Sequence, residues 1–349
     1  MSLDSLFDSP ARGQMKAVRI TQDHRVFVAD VPVPTPDEDE VLIRPAACGL
    51  CGTDLHILHH GFPGSVYPVT PCHEFSGHVV AVGRAVTGLR EGDFVAVDPN
   101  VTCGTCRWCR AGRPNLCPHL SPIGVARPGA AAEFVVAPAR NTFRLKAGLR
   151  ADVAAMIEPL ACVLHAVDSS HGVKDRDVLV MGGGTMGLLI AIVCDLFGAG
   201  RVTIADPSPA KRAIAARAGM ANSVDPAALG PDGALGAACF DVVFEAAGVR
   251  RALEQALDHV EKTGVLVQVG VHDAEALVGI NPFRVYEREL RIIGSNSLAD
   301  KFPAAVEVMN DMADRAAVLI GDTFPVWQFA QAAEAMAAGT GIKTQLAFL

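Results

Sequence analysis

The chain of 349 residues lacks three features that would each point to a different class of protein. No apolar run reaches the roughly 18 residues that a membrane-spanning helix needs, so we expect no membrane partner. Acidic residues outnumber basic ones, and the net charge of −8 argues against nucleic acid, whose binding usually requires a basic surface. The polar N-terminus has no apolar signal core, so residues 1–14 are interpreted as a disordered extension. We therefore expect a cytoplasmic protein.

The composition and its change along the chain predict two folded domains. Half of the residues are apolar and 19% are charged, which favours a large core over disorder. The first 150 residues contain short β-branched stretches separated by Gly, Pro and acidic turns, which is typical of β-strands. From residue 151 onward, Ala-rich helical stretches alternate with short apolar runs. This rhythm indicates an α/β fold with a parallel sheet, preceded by a β-rich domain.

The cysteines form one conspicuous group. In a reducing compartment, ten cysteines indicate metal binding or buried packing before disulfides. Four of them have the spacing C-x2-C-x2-C-x7-C, namely Cys103, Cys106, Cys109 and Cys117. Zinc is favoured over an iron–sulfur cluster or simple packing, because ferredoxin motifs have a shorter last gap and no second cluster motif occurs here. Four thiolates fill the coordination shell of zinc, so this zinc would be structural.

A glycine-rich turn predicts a nucleotide site. The segment at 177–189 places G-x-G-x-x-G, at 182–187, between an apolar strand and a helix. Such glycines allow a tight turn and a close approach of a pyrophosphate to the helix N-terminus. Asp206 ends the next predicted strand, where an acid can bind both ribose hydroxyls and repel a 2′-phosphate. The sequence therefore favours NAD, while Lys211 and Arg212 leave NADP open.

A second set of candidate metal ligands is spread over the chain. It occurs in three stretches, CGLCGTDLH at 48–56, PVTPCHEFSGH at 68–78 and IEPLACVLH at 157–165. They offer Cys51, His73, Glu74 and Glu158. A catalytic zinc usually has three protein ligands and one exchangeable oxygen. A single Cys is usually a packing residue and a His-Glu pair usually lies on the surface, but the nucleotide fingerprint favours a catalytic metal.

Taken together, these motifs resemble the zinc-dependent medium-chain dehydrogenase/reductase family, over residues 15–349. The matching motifs are C-G-x-C-G-T-D-x-x-H, H-E-x-x-G, the four-cysteine lobe, E-P-L-A and G-x-G-x-x-G, in family order. The branch that is most similar contains polyol, sorbitol and threonine dehydrogenases, which have Glu at position 158. The resemblance implies a catalytic domain of GroES-like type, residues 15–160 completed by 298–349. It also implies a Rossmann domain with a doubly wound parallel sheet, residues 161–297.

The resemblance implies a role for each matched residue. The catalytic residues would be Cys51, Thr53, His56, His73, Glu74 and Glu158. Of these, Cys51, His73, Glu74 and Glu158 would hold the catalytic zinc, with the order of the two acids left open. Thr53 and His56 match a proton relay, and Asp54 matches an acid that orients a ligand imidazole. The residues that would bind the cofactor are Gly182, Gly184, Thr185, Met186, Gly187, Asp206, Arg212, Val269, Val271 and Gly294.

Three features depart from the family pattern. Cys72 stands where Gly commonly precedes the ligand histidine, Ile57 stands where sorbitol dehydrogenases often carry Tyr, and the segment at 294–298, GSNSL, lacks the Arg that they often carry there. The last two departures weaken a specific assignment to sorbitol. We expect a zinc- and NAD-dependent homo-oligomer, with two zinc ions per chain, that oxidises a secondary hydroxyl of a polyol, sugar or small alcohol. A threonine or aminoalcohol dehydrogenase, an NADPH-dependent ketone reductase and a zinc-stabilised nucleotide sensor remain alternatives.

Overall fold

The computed structural model describes residues 13–229, 239–339 and 341–348. The predicted extension therefore lies outside the described residues, except for Gly13 and Gln14, and Gln14 already begins a strand. The contacts between Cα atoms divide the chain into two units. The first contains the described residues up to Glu158, Phe302–Ala313 and those from Ile320 onward, and the second contains Pro159–Lys301 and Asp314–Leu319.

The described residues form strands and helices with the following bounds. The strands are β1 Gln14–Ile20, β2 Val26–Pro32, β3 Glu40–Gly49, β4 Glu74–Val82, β5 Phe94–Val97, β6 Asn100–Val101, β7 Ser121–Pro122, β8 Val135–Pro138, β9 Thr142–Arg144, β10 Asp177–Met181, β11 Arg201–Ala205, β12 Ser223–Val224, β13 Phe240–Glu245, β14 Val260–Gln268, β15 Arg291–Gly294, β16 Ile320–Pro325 and β17 Lys343–Ala347. The helices are α1 Gly52–His59, α2 Arg107–Arg110, α3 Ala151–Ala154, α4 Ile157–Ser169, α5 Thr185–Leu196, α6 Pro209–Arg217, α7 Arg250–Asp258, α8 Pro282–Glu287, α9 Phe302–Ala317 and α10 Phe329–Ala338. Among them, no helix has the length and apolar character to cross a membrane.

The main sheet of the first unit joins distant parts of the chain. Within the described residues it has seven strands in the order β16-β17-β3-β4-β5-β9, with β8 also paired to β3. Strand β3 is antiparallel to both of its neighbours, so Gly49 lies opposite Gln345 of β17 and opposite Glu74 of β4. The core beside this sheet includes the fully buried Phe75 and Phe329. The C-terminal strand therefore lies next to the end of β3, just before Cys51.

The second unit contains a parallel sheet. In the part of the chain that the structure describes, its six strands have the order β12-β11-β10-β13-β14-β15. This order defines the doubly wound nucleotide-binding fold, so the predicted fold class is confirmed. Strand β10 is apolar and buried at four of its five positions, because helices cover both faces of such a sheet. The order reverses between β10 and β13, and folds of this kind bind ligands at that switch point.

Candidate active site and metal centres

Three residues of the first unit form a compact group of potential metal ligands. Cys51 immediately precedes α1, His73 immediately precedes β4, and Glu74 begins that strand. One ligand atom of each lies within 4.8 Å of the other two. His73 and Glu74 are buried, whereas Cys51 is partly exposed. A thiolate, an imidazole and a carboxylate are the donors that zinc accepts in catalytic sites.

Asp54 fixes the two segments that carry these ligands. From its buried position it accepts a hydrogen bond from the backbone N–H of Cys51 through Oδ2 and from that of Cys72 through Oδ1, both at 3.0 Å. Its Oδ1 lies 4.0 Å from Nδ1 of His73, a buried nitrogen that has no hydrogen-bond partner among the described residues. Burial raises the pKa of Asp54, while His73 and the two N–H groups oppose that shift. Asp54 is thus placed to orient His73 without a direct hydrogen bond.

The electrostatics of the group favour a bound cation. Burial lowers the pKa of His73, but Cys51, Asp54 and Glu158 raise it, and the pKa ends well above its ordinary value. Burial raises the pKa of Glu158 to about 7, and Glu74 adds to the shift while His73 opposes it. The pKa of His73 rises because neighbouring negative charges favour its protonated form, whereas the pKa of Glu158 rises because burial and Glu74 disfavour its charged form; a cation would relieve both effects. The residues therefore fit a divalent zinc ion.

The other predicted catalytic residues lie on two helices. Thr53 and His56 are three positions apart on α1, hence one turn apart; Thr53 is partly buried and His56 is exposed. Glu158 is buried near the start of α4, and it is not one of the three residues whose ligand atoms lie within 4.8 Å, as far as the described chain extends. The sequence did not decide whether Glu74 or Glu158 is the direct metal ligand, and of these two acids the three-residue group contains Glu74.

Cys72 adopts a backbone conformation that glycine would favour. Its φ is +76°, in the left-handed region, although it carries a fully buried side chain. Such a conformation costs on the order of 1–3 kcal/mol and persists only where the surroundings enforce it. Here the Cys72 N–H is bound to Asp54 and its carbonyl accepts a hydrogen bond from Ala130 N at 2.9 Å. The family pattern of Gly at this position was the sequence signal for this strain.

Lys343 is a candidate that the sequence analysis missed. It begins β17, is only 4% exposed and forms an ion pair with Glu74. Its Nζ also donates a hydrogen bond to the carbonyl of Leu50 at 2.8 Å. Burial lowers the pKa of Lys343, but Glu74 and Cys51 raise it above its ordinary value. A lysine inside the strand-like C-terminal segment was the one available sequence signal.

The four-cysteine lobe is a second candidate metal centre. Its Sγ atoms are 3.5 Å apart for Cys106 and Cys109, 3.5 Å for Cys103 and Cys117, and 4.0 Å for Cys103 and Cys109. Zinc–sulfur bonds of about 2.3 Å in a tetrahedron place sulfurs about 3.8 Å apart, so this spacing fits zinc.

Backbone N–H groups favour the thiolate form in this lobe. Cys109 N lies 3.5 Å from Sγ of Cys106, and His119 N lies 3.4 Å from Sγ of Cys117. The N–H groups of Thr105 and Cys106 lower the pKa of Cys103 to about 5. Because the thiolate is the form that binds metal, this shift favours cation binding at Cys103, whereas desolvation and the neighbouring Cys106 raise the pKa of Cys109 to about 11.

The glycine turn of the second unit is shaped for a phosphate group. Gly182 has a φ of +108°, and a Cβ there would lie 2.9 Å from Ala247 N. Gly187 packs against the carbonyl of Gly182, which brings α5 close to β10. Gly184 immediately precedes α5 and has open space where its Cβ would point. The turn therefore leaves open space at Gly184, beside a helix N-terminus, where an anion can bind.

Asp206 and Arg212 lie beside this turn. The Asp206 carboxylate follows β11 and accepts hydrogen bonds from Gly183 N at 2.7 Å and from Ser208 N at 2.8 Å. The Arg212 guanidinium donates to the carbonyl oxygen of Asp206 at 2.6 Å and pairs with Asp225 at 3.6 Å. Asp206 thus holds the glycine turn in place through Gly183 N, and its carboxylate puts a negative charge just after the end of β11.

The remaining predicted cofactor residues lie at helix and strand ends of the second unit. Thr185 and Met186 are the first two residues of α5, and both are partly buried. Val269 and Val271 follow β14, and Val271 is exposed. Gly294 ends β15 and has open space around its Cα. Val269 N donates to the carbonyl of Glu245 at 2.8 Å, which anchors the loop after β14 to the end of β13.

Two family models match the chain over these same regions. The model "Alcohol dehydrogenase GroES-like domain" matches residues 37–147, and the model "Zinc-binding dehydrogenase" matches residues 185–311. Among curated relatives, a D-altritol 5-dehydrogenase of Agrobacterium fabrum is 34% identical over 89% of this chain and 93% of its own length. An L-threonine 3-dehydrogenase of Saccharopolyspora erythraea is 36% identical over 70% of this chain and 73% of its own.

Solved structures show the same fold over almost the whole chain. A zinc-binding dehydrogenase of Sinorhizobium meliloti 1021, bound to NADP, is 36% identical with a TM-score of 0.90, covering 96% of this chain and 99% of that one. A short chain alcohol dehydrogenase of E. coli CFT073, complexed with NADH, is 27% identical with a TM-score of 0.89, covering 96% and 100%. The fold and the two sites define a zinc-dependent dehydrogenase. The chain belongs to the zinc-dependent medium-chain dehydrogenase/reductase family, the alcohol dehydrogenase family.

Proposed function

We propose that the protein is an NAD-dependent zinc dehydrogenase that oxidises a secondary hydroxyl of a polyol, sugar or related small alcohol. The observation that carries this proposal is the group Cys51, His73 and Glu74, in a chain that also folds a G-x-G-x-x-G turn. The altritol-dehydrogenase relative, similar over most of the chain, supports a polyhydroxylated substrate.

Each residue of the site then has a distinct task. A bound zinc ion would supply a Lewis acid that lowers the pKa of the substrate hydroxyl, and a bound nicotinamide would supply the hydride acceptor. Cys51, His73 and Glu74 would hold the metal, and Glu158 is the buried acid beside them. Thr53 would accept the hydroxyl proton while its own hydroxyl proton leaves towards His56, which lies exposed one helical turn away and releases a proton to solvent. The four-cysteine lobe holds the second, structural zinc.

The test combines metal analysis with a substrate panel. We expect two zinc ions per chain and NADH formation with secondary hydroxyls of polyols or sugars. The panel also contains threonine, amino alcohols and simple secondary alcohols, because one relative is a threonine dehydrogenase. Fastest turnover of threonine would favour the aminoalcohol alternative. Tight nucleotide binding with no turnover of any panel member would favour the sensor and contradict the enzyme.

The choice of NAD is proposed because Asp206 ends β11. A carboxylate there accepts ribose hydrogen bonds and repels a 2′-phosphate. Arg212 is the nearby cation that would favour NADP, but its guanidinium is bound to Asp206 and Asp225. We expect kcat/KM to be higher with NAD than with NADP. Because solved relatives contain NADP and NADH, the measurement must compare both cofactors at the same substrate concentration.

We further propose a cytoplasmic homo-oligomer, a dimer or tetramer. Strand β15 is an edge of the described parallel sheet, and Ile292 on it is 42% exposed. Phe283 and Tyr286 of the preceding α8 are also exposed. An apolar surface beside an edge strand is typical of an association site. Light scattering would measure the mass, and a monomer at micromolar concentration would contradict the oligomer. The thiolate ligands require a reducing compartment, which supports the cytoplasm.

A further inference from the structure

We infer that Lys343 is a positioning residue that controls how strongly Glu74 binds the catalytic metal. The inference rests on the proposed metal site at Cys51, His73 and Glu74. Lys343 is in ion-pair contact with Glu74, yet it is contributed by the C-terminal strand, far away in sequence. It acts on the metal through Glu74 rather than by contact with the reacting atoms.

The sheet is arranged so that these two side chains can meet. Glu74 begins β4 and Lys343 begins β17, and these strands flank β3 on opposite sides. Adjacent strands are about 4.8 Å apart, so the two side chains must reach across β3. They cross it at Gly49, where a Cβ would lie 2.6 Å from Cε of Lys343 and would also collide with Oε2 of Glu74. A glycine inside a central strand is otherwise weakening, and here it leaves room for the ion pair.

Lys343 is also fixed to the segment that carries Cys51. Its Nζ donates to the carbonyl of Leu50 at 2.8 Å, and Leu50 N donates to the carbonyl of Thr344 at 3.0 Å. The ammonium group therefore connects Glu74 to the residue that precedes Cys51. Because it is buried, its position is set by these contacts and not by solvent.

The charges of the site explain what the ion pair does. The Cys51 thiolate and the ionised carboxylates of Asp54, Glu74 and Glu158 bring four negative charges, while a zinc ion would bring two positive ones. Lys343 supplies a third positive charge, next to Glu74. Because Lys343 takes part of the charge of Glu74, the metal remains a stronger Lewis acid and is held less tightly. Without Lys343, Glu74 would give its full charge to the metal.

The test compares Lys343→Met with Lys343→Arg in the zinc-loaded, full-length protein. Lys146→Met is the control, since Lys146 is an exposed lysine that pairs with Glu307 on the surface. We expect Lys343→Met to release its catalytic zinc to a colorimetric chelator about tenfold more slowly, the equivalent of one pKa unit of electrostatic interaction. We also expect a changed visible absorption spectrum after cobalt substitution and a kcat lowered by about the same factor. Lys343→Arg and Lys146→Met should resemble the unmodified protein.

The direction of zinc release separates this role from simple stabilisation. If Lys343 only stabilised the fold, its loss would speed up zinc release. Zinc release from Lys343→Met that is faster or unchanged, together with an unchanged cobalt spectrum, would overturn the inference. If Lys343→Met does not fold, Gly49→Ala is the second variant, because it retains both charges but blocks the place where the two side chains meet. An unchanged cobalt spectrum in Gly49→Ala would also overturn the inference. Absence of turnover in the unmodified protein would refute the proposed function, while zinc release would still decide the role of Lys343.

Discussion

Asp98 allows a quantitative test of the electrostatics in the first unit. It directly follows β5, and its Oδ1 accepts a hydrogen bond from Asn100 N at 2.8 Å. Burial raises its pKa to about 7, although that hydrogen bond opposes the shift. Because the ordinary pKa is 3.8, the folded protein binds this proton more tightly than the unfolded chain does. Stability should therefore fall as the pH rises from about 4 to about 7, and the full penalty is present above about pH 7.

The size of the penalty follows from the pKa difference. About three pKa units at about 1.36 kcal/mol each give an upper limit of about 4 kcal/mol. Local rearrangement and water penetration reduce the effective value, so we expect about 2 kcal/mol. Asp98→Asn removes the charge and retains an oxygen that can accept the hydrogen bond from Asn100. The variant should be more stable than the unmodified protein by this amount at about pH 8 and equally stable near about pH 4.

Urea unfolding between about pH 8 and about pH 4 measures this difference directly. Asp311→Asn, which neutralises an exposed acid on α9, is the control for the change in net charge and should alter stability little. The zinc content of all three proteins is measured at each pH, because Asp98 also raises the pKa of Glu158 and a difference in zinc loss would enter the comparison. An Asp98→Asn protein that is less stable at about pH 8, or whose advantage does not change with pH, would refute the reasoning.

Three further substitutions test the sites. Cys51→Ala should abolish turnover and leave the urea midpoint nearly unchanged. Cys106→Ala should instead lower the free energy of unfolding by about 3 kcal/mol or more, because a structural zinc contributes to folding. Equal loss of stability in the two variants would contradict the division into catalytic and structural centres. Asp206→Asn should reduce the ratio of kcat/KM for NAD to that for NADP by about tenfold, since it removes the charge that repels a 2′-phosphate. An unchanged ratio would show that another residue selects the cofactor.

The parts of the fold that depend on local sequence could be predicted. The apolar run that forms β10 and the glycines after it lie in one short segment, and the parallel sheet follows from repeated strand–helix units. The four-cysteine spacing likewise lies in one loop, so its geometry needs only short turns of the chain. The domain boundaries at 160 and 298 stay predictions, because the contact pattern divides the chain at Glu158, at Lys301 and again within α9.

The parts of the site that depend on tertiary structure could not be predicted. Nothing in the sequence orders Glu74 and Glu158, because their distances to Cys51 and His73 depend on where β4 and α4 pack. The ion pair between Glu74 and Lys343 was missed for the same reason, since it depends on β17 pairing with β3. The left-handed backbone of Cys72 was not predicted either, although the family pattern of Gly at that position was an available signal for it.

The two metal centres differ in how the chain controls their charge. The cysteine lobe concentrates four thiol groups in a loop, where N–H groups of the same loop contact the sulfurs of Cys106 and Cys117. In the catalytic group, a buried lysine from a distant strand opposes the charge of one ligand across a glycine. A structural zinc is useful when it is bound as tightly as possible, whereas a catalytic zinc must keep enough positive charge to act on a hydroxyl. The different sources of countercharge at the two centres match these different requirements, and this is why we expect Lys343, which is not a ligand, to set the reactivity of the site through Glu74.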